Sequence, residues 1–180
     1  VKSYSNYTYV HSINVSILSI FQAESLGMSG KMLHDIGLAA LLHDVCKLFI
    51  PQEILEKKGT LDESEFTAMS NHPAYGTAYL DRINGLARIA PIVAFEHHRK
   101  YDGTGYPKLK MGEKEQHPRR QLVAIADVFD ALRSWRPYRK SLEMDAVLAI
   151  MKKGAGKDFN PFLVDNFISA FMKATKKTGN

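Results

Sequence analysis

A single cysteine, Cys46, excludes any internal disulfide from this 180-residue chain and suits a reducing compartment. No apolar run approaches the length of a membrane span. Val1 to Val10 holds Ser, Tyr and Asn where an export signal needs an apolar core. A cytoplasmic protein without a membrane segment is therefore expected. No Pro-, Ser- or Gly-rich linker divides the chain, so residues 1–180 are read as one domain, with a frayed basic tail over about 173–180. Strand-length alternation and internal repeats are absent as well. Charge of one sign is weak: the net +5 comes with no basic-aromatic stripe, which argues against nucleic acid as a partner. The basic residues that do gather, at Arg133, Arg136, Arg139 and Lys140, point to an anionic ligand. Because the chain opens in or just before a helix, it is read as excised from a longer protein with a regulatory domain upstream.

What is present is helical periodicity. Apolar residues recur at helical spacing over Ser12 to Leu26, closed by Gly27, and over Lys31 to Phe49, a broad apolar surface that marks a central helix. Short helices follow at Pro51 to Lys57, after a capping box at Thr60 to Glu63, and from Pro73 to about Arg82. Further helices span Arg120 to Leu132, Leu142 to Met151 and Pro161 to Met172. The expected class is all-α, a single-domain bundle of about seven to eight helices. Gly154-Ala155-Gly156-Lys157 lacks a preceding strand and the glycine spacing of a phosphate-binding loop, and is read as a turn.

Seven histidines at positions 11, 34, 43, 72, 97, 98 and 117 supply the candidate chemistry. His97-His98 end an apolar run, Ile89 to Phe95, and precede Asp102-Gly103-Thr104-Gly105-Tyr106-Pro107, where regular structure must stop. Neutral imidazole is the commonest metal ligand among side chains, and a bundle builds a metal site from one ligand or so per helix. Two His-Asp pairs, His34-Asp35 and His43-Asp44, compete. They are nine residues apart, which at about 100° per residue puts them on opposite sides of one helix. His43-Asp44 is chosen, because it follows Leu41-Leu42 and Lys47 lies three positions beyond Asp44 on the same face.

His43-Asp44-Val45-Cys46-Lys47, His72-Pro73 with Gly76, His97-His98 with Asp102 to Pro107, Asp127-Val128-Phe129-Asp130-Ala131-Leu132 and Arg136-Pro137-Tyr138-Arg139, in that order, resemble the HD-GYP family. The likeness runs from about His11 to Phe162. That family belongs to the HD metal-dependent phosphohydrolases and hydrolyses bacterial cyclic di-GMP. The resemblance implies two divalent metals, iron or manganese, bridged by Asp44. His11, His43 and Asp127 would complete one side and His72, His97 and His98 the other. The metals would make a bridging hydroxide available for in-line attack on phosphorus. It further implies that Lys47 stabilises the phosphate charge, that Arg136 and Arg139 grip phosphates, and that Gly103, Gly105, Tyr106 and Pro107 form the substrate-side wall. The product would be the linear dinucleotide, with GMP as a further product. The alternatives are a cyclic di-GMP-binding or protein-interaction module without turnover, and a phosphohydrolase of another cyclic dinucleotide or nucleotide.

Several positions depart from the family pattern. Tyr7 stands where some members place a glutamate for a third metal, hence the expectation of two. Cys46 replaces a glycine and is read as packing. Arg99 follows the paired histidines where glutamate is usual, and Gln121 replaces a common arginine. Asp130 is assigned a structural role, holding a neighbouring arginine. His34 and His117 are assigned to no site.

Overall fold

A computed structural model describes residues 2–108, 117–134 and 141–178. The chain forms α1 (Lys2–Ser25), α2 (Lys31–Leu42), a 3-10 turn (Val45–Phe49), α3 (Gln52–Leu55), α4 (Glu63–Ser70), α5 (His72–Leu80), α6 (Ile89–Glu96), α7 (Pro118–Arg133), α8 (Met144–Lys153) and α9 (Pro161–Thr178). Eight of these α-helices exceed a single turn, and no strand occurs among the described residues, only two isolated bridges. The all-α expectation is met.

Two apolar clusters hold the bundle. The first joins Val15, Ala39, Ala40, Leu80, Ala90, Val93, Ala94, Val123 and Ala126 from α1, α2, α5, α6 and α7. Its alanines let the backbones of α2, α6 and α7 approach closely, which brings the C-terminal ends of α2 and α6, with His43 and His97, up to the middle of α7, with Asp127. The second packs Ile125, Phe129, Val147, Met151, Val164 and Phe167 between α7, α8 and α9, with Phe129, Phe167 and Phe171 in ring contact. Fully burying one such side chain contributes roughly 1.5–3 kcal/mol.

Four boundaries differ from the sequence reading. The helix expected over Lys31 to Phe49 breaks at His43. Its Nδ1 lies 2.7 Å from the Ala40 carbonyl oxygen, which the Asp44 N–H would bond in a continuing α-helix. The chain then tightens into the 3-10 turn, with Lys47 N–H donating to Asp44 O at 2.9 Å. The capping box sits two residues later than read: Asp62 caps α4, with Glu65 N–H donating to its Oδ1 at 2.9 Å and its own N–H to Glu65 Oε2 at 2.8 Å. Aspartate outranks threonine as an N-cap. The first helix begins well before Ser12, so His11 lies inside α1, and the last helix continues past Met172 to Thr178. No described helix is long and apolar enough to cross a membrane.

Candidate metal centre

The break after Leu42 turns His43 and Asp44 inward, where both are buried, while His34 stays on the exposed face of α2 and Asp35 pairs with Lys31 at 2.6 Å. Asp44 divides its two oxygens. Oδ1 lies 3.3 Å from His72 Nε2 and 3.4 Å from His97 Nε2, and Oδ2 lies 3.3 Å from His43 Nε2 and 2.6 Å from Lys47 Nζ. Asp44, His72, His97 and His98 thus form one group whose ligand atoms lie within 4.8 Å of each other, and His11, His43 and Asp127 form a second. The seven residues come from α1, the α2 exit, the start of α5, the end of α6 and the middle of α7.

The tautomers follow from the partners. A carbonyl oxygen only accepts, so Nδ1 carries the proton in His43 (to Ala40 O, 2.7 Å), His72 (to Met69 O, 2.7 Å) and His97 (to Ala94 O, 3.0 Å). In the neutral rings Nε2 then presents a bare lone pair to the Asp44 carboxylate, and His72 Nε2 faces His97 Nε2 at 3.4 Å. Lone pairs set against lone pairs repel unless positive charge lies between them. His43 Nε2, Asp44 Oδ1 and His98 Nε2 are buried with no hydrogen-bond partner among the described residues. A divalent cation would satisfy all three, and imidazole with carboxylate suits iron, manganese or zinc.

The electrostatics divide: burial works to lower the His43 imidazole, but the Asp44 carboxylate raises it above its ordinary value when no cation lies between them, whereas His97 and His98 are lowered. Burial works to raise the Asp44 carboxyl, but Lys47 and His43 hold it well below the usual carboxylate range. Burial would raise Asp127 too, and its hydrogen bond to His11 and the His43 charge pull it down. Burial lowers the His97 imidazole and, helped by the charge of His97, drives His98 well below its usual value, so both are ready as neutral ligands. His11 goes the other way: burial opposes its proton, but Asp127 (3.1 Å) and Asp130 (2.6 Å) raise it to about 9.

Among the described residues Asp130 meets His11, Asn14 and Ser134 and no arginine, where the sequence reading expected one. It takes His11 Nδ1, Asn14 Nδ2 at 2.8 Å and Ser134 Oγ at 3.0 Å, fixing the ring whose Nε2 faces Asp127. His11 itself is buried. Cys46 is buried and packs against the face of Gly76, where a Cβ would lie 3.6 Å from Cys46 Sγ. Gln121 accepts the Asn160 N–H at 3.1 Å, and His117 caps α7 by accepting from Arg119 N–H at 3.2 Å. Arg99 does not point to solvent. It is 8% exposed, its Nη1 lies 3.6 Å from Glu96 Oε1, and the wholly buried Arg120 reaches the other Glu96 oxygen at 3.8 Å. Neither Glu96 nor Arg120 was singled out in the sequence.

The loop after His98 closes one wall. Gly103 (φ +86°) and Gly105 (φ +91°) adopt backbone that favours glycine, and Tyr106-Pro107 is cis. Lys100 N–H donates to Thr104 O at 2.7 Å, and the N–H groups of Tyr101 and Asp102 reach the carbonyls of Asp158 and Lys157 in the turn after α8. That turn, which includes Gly154 to Lys157, braces the loop. The Tyr106 ring lies 4.6 Å from His98 and 6.1 Å from Phe66, and burial pushes its phenol up to about 12. Arg136 and Arg139 lie outside the described residues.

Residues 9–163 match the HD domain family. The chain belongs to that family, in its HD-GYP group. The HD-GYP chain is 42% identical over 144 residues to the Xanthomonas campestris cyclic di-GMP phosphodiesterase response regulator RpfG, covering 79% of this chain and 38% of that protein. It is 38% identical over 152 residues to the Vibrio cholerae 3'3'-cGAMP-specific phosphodiesterase 1, covering 84% and 35%. Among solved structures, Bd1817, an HDG"Y"P protein from Bdellovibrio bacteriovorus, superposes with a TM-score of 0.72 at 20% identity, over 92% of this chain and 52% of that one, and shows the shared fold. This HD-GYP chain thus spans well under half the length of these two curated relatives.

Proposed function

We propose that this HD-GYP chain is a metal-dependent cyclic dinucleotide phosphodiesterase that opens cyclic di-GMP to the linear dinucleotide, with GMP as a further product. The observation that carries the reading is the Asp44 carboxylate, with one oxygen toward each histidine group. With such a carboxylate between them, His11, His43 and Asp127 on one side and His72, His97 and His98 on the other would hold two divalent cations, iron or manganese. Bound there, the metals would activate water near neutral pH and neutralise phosphate charge. Lys47, only part-buried with Nζ 2.6 Å from Asp44, meets the charge that grows on a non-bridging phosphate oxygen. Tyr106 keeps its proton at working pH and offers the nucleotide a ring face and a neutral donor. Gly103, Gly105 and Pro107 shape the wall on which that ring stands. Arg136 and Arg139 are proposed to hold the phosphates.

Relatives named for cyclic di-GMP share 33–42% identity with this chain and those named for 3'3'-cGAMP 35–38%, so the two substrates are distinguished by turnover and not by identity. Product chromatography of the metal-loaded protein with each dinucleotide tests the reading. Linear dinucleotide from cyclic di-GMP, absent with Asp44→Ala or His43→Ala, is the expected result. Binding without turnover, with both metal positions filled, would replace the enzyme by a sensor; turnover of cGAMP alone would move the substrate.

A further inference from the structure

Of the five histidines in the two groups, four have Nδ1 tied to the protein: His11 to Asp130, His43 to Ala40 O, His72 to Met69 O and His97 to Val93 O and Ala94 O. No hydrogen bond reaches the His98 ring among the described residues, and its Nε2 is buried without a partner. Metal-binding imidazoles are normally oriented through their second nitrogen. For His98 the orientation comes from the backbone turn that carries it and from the His97 and Tyr106 rings packed 4.0 and 4.6 Å away.

Arg120 ends on that turn. α6 stops at Glu96, whose carbonyl already takes the Arg99 N–H at 2.9 Å and keeps a second lone pair, while the Arg99 and Lys100 carbonyls lie beyond the helix. Arg120 Nη1 donates to Glu96 O at 3.1 Å and to Arg99 O, and Nη2 donates to Lys100 O at 3.3 Å. One planar guanidinium thus fans over the carbonyls that bracket His97 and His98, a geometry that an ammonium cannot reproduce. The charge is compensated on the spot. Glu96 lies against both Arg120 and Arg99 and also accepts the His117 N–H at 3.1 Å, which ties the start of α7 to the end of α6. Two turns along α7 sits Asp127, a member of the other group.

We propose that Arg120 is a positioning residue for the metal site of Asp44, His72, His97 and His98, acting through the carbonyls of Glu96, Arg99 and Lys100 to aim His98. The inference rests on the two-metal reading. Its consequence is asymmetric: loosening the turn weakens one metal position and spares the one built by His11, His43 and Asp127.

Manganese titration of metal-free protein, followed by electron paramagnetic resonance and calorimetry, tests it on Arg120→Lys and Arg99→Ala alongside wild type and His98→Ala. In R120K one ion should bind as in wild type and the second about 10–100-fold more weakly, in the direction of H98A. R99A keeps its own carbonyl for Arg120 and should retain both ions. Equal weakening of both ions in R120K, unchanged binding of both, or the same loss in R99A would each overturn the proposal. So would failure of R120K to fold by circular dichroism, which would make Arg120 a residue of the core at large. Wild type taking up a single ion would refute the dinuclear reading instead, and Arg120 would fall with it if R120K bound that ion equally well.

Discussion

Gly105 and Gly103 offer a matched pair of perturbations, because both have positive φ and only one is crowded. A Cβ on Gly105 would lie 2.3 Å from the His98 carbonyl oxygen and 3.1 Å from Arg99 Cα and Lys100 N, whereas a Cβ on Gly103 meets nothing within 4 Å. Gly103→Ala therefore incurs only the left-handed dihedral, about 1–2 kcal/mol. Gly105→Ala incurs the same dihedral and must also push apart two backbone segments, neither of which can rotate away, adding about 1–3 kcal/mol. For a chain of this size each kcal/mol lowers the melting temperature by about 2–4 °C, so G105A should melt several degrees below G103A. The displaced atom is the carbonyl of His98, and the displaced ring is Tyr106, next in sequence and 4.6 Å from His98. G105A should therefore also raise KM for the cyclic dinucleotide and loosen the metal position that includes His98, while G103A leaves both near wild type. Calorimetry, manganese titration and steady-state kinetics on the two variants check this. Equal melting temperatures with equal KM would refute the claim that close backbone approach, rather than dihedral freedom alone, requires glycine at 105.

Three further outcomes follow from the His11 side. The folded-state value of about 9 lies above the ordinary 6.5, so in metal-free protein the His11 contribution is fully present below pH 6.5 and is lost as pH rises through 9; urea midpoints at pH 6 and pH 10 should fall accordingly. The same proton competes with metal, so affinity at the His11, His43 and Asp127 position should rise over that interval. Asp130→Ala removes the acceptor at His11 Nδ1, and should weaken that one ion by about 10–100-fold while the other binds as before, measured by manganese titration.

What the sequence made legible is the chemistry carried by residue type and order. His11, His43, Asp44, His72, His97, His98 and Asp127 are assigned through the likeness of the ordered motifs to the HD-GYP family, not from spacing alone, and the structure brings all seven together in two groups. The helical periods were legible because burial imposes them. The break at His43 was not. Its neighbours Leu41, Leu42, Val45 and Leu48 continue a helical pattern, and nothing local shows that an imidazole would face the Ala40 carbonyl. Had α2 run on unbroken, Asp44 would keep the helical register of Asp35, and the choice between the two pairs would rest on register alone. Because the helix stops, His43 and Asp44 leave that register altogether, and the angular separation that set the two pairs against each other does not apply in the fold.

Arg99 shows the same limit from the other direction. Read in sequence, a cation beside two imidazole ligands opposes metal charge. In the fold its nearest carboxylate is Glu96, three residues back, and Glu96 is shared with Arg120 from a helix more than twenty residues away. The sign of the Arg99 effect is therefore set by a tertiary pairing that no spacing rule along the chain contains. Glu96 sits between both arginines and the His117 N–H, so the charge at position 99 is balanced before it reaches His98. Arg99 is tolerable at that place in this chain because Glu96 and Arg120 lie where they do, and the three residues vary in meaning together: Glu96→Gln leaves two buried guanidinium groups facing each other, a larger loss than Arg99→Ala, which leaves Glu96 its pairing with Arg120.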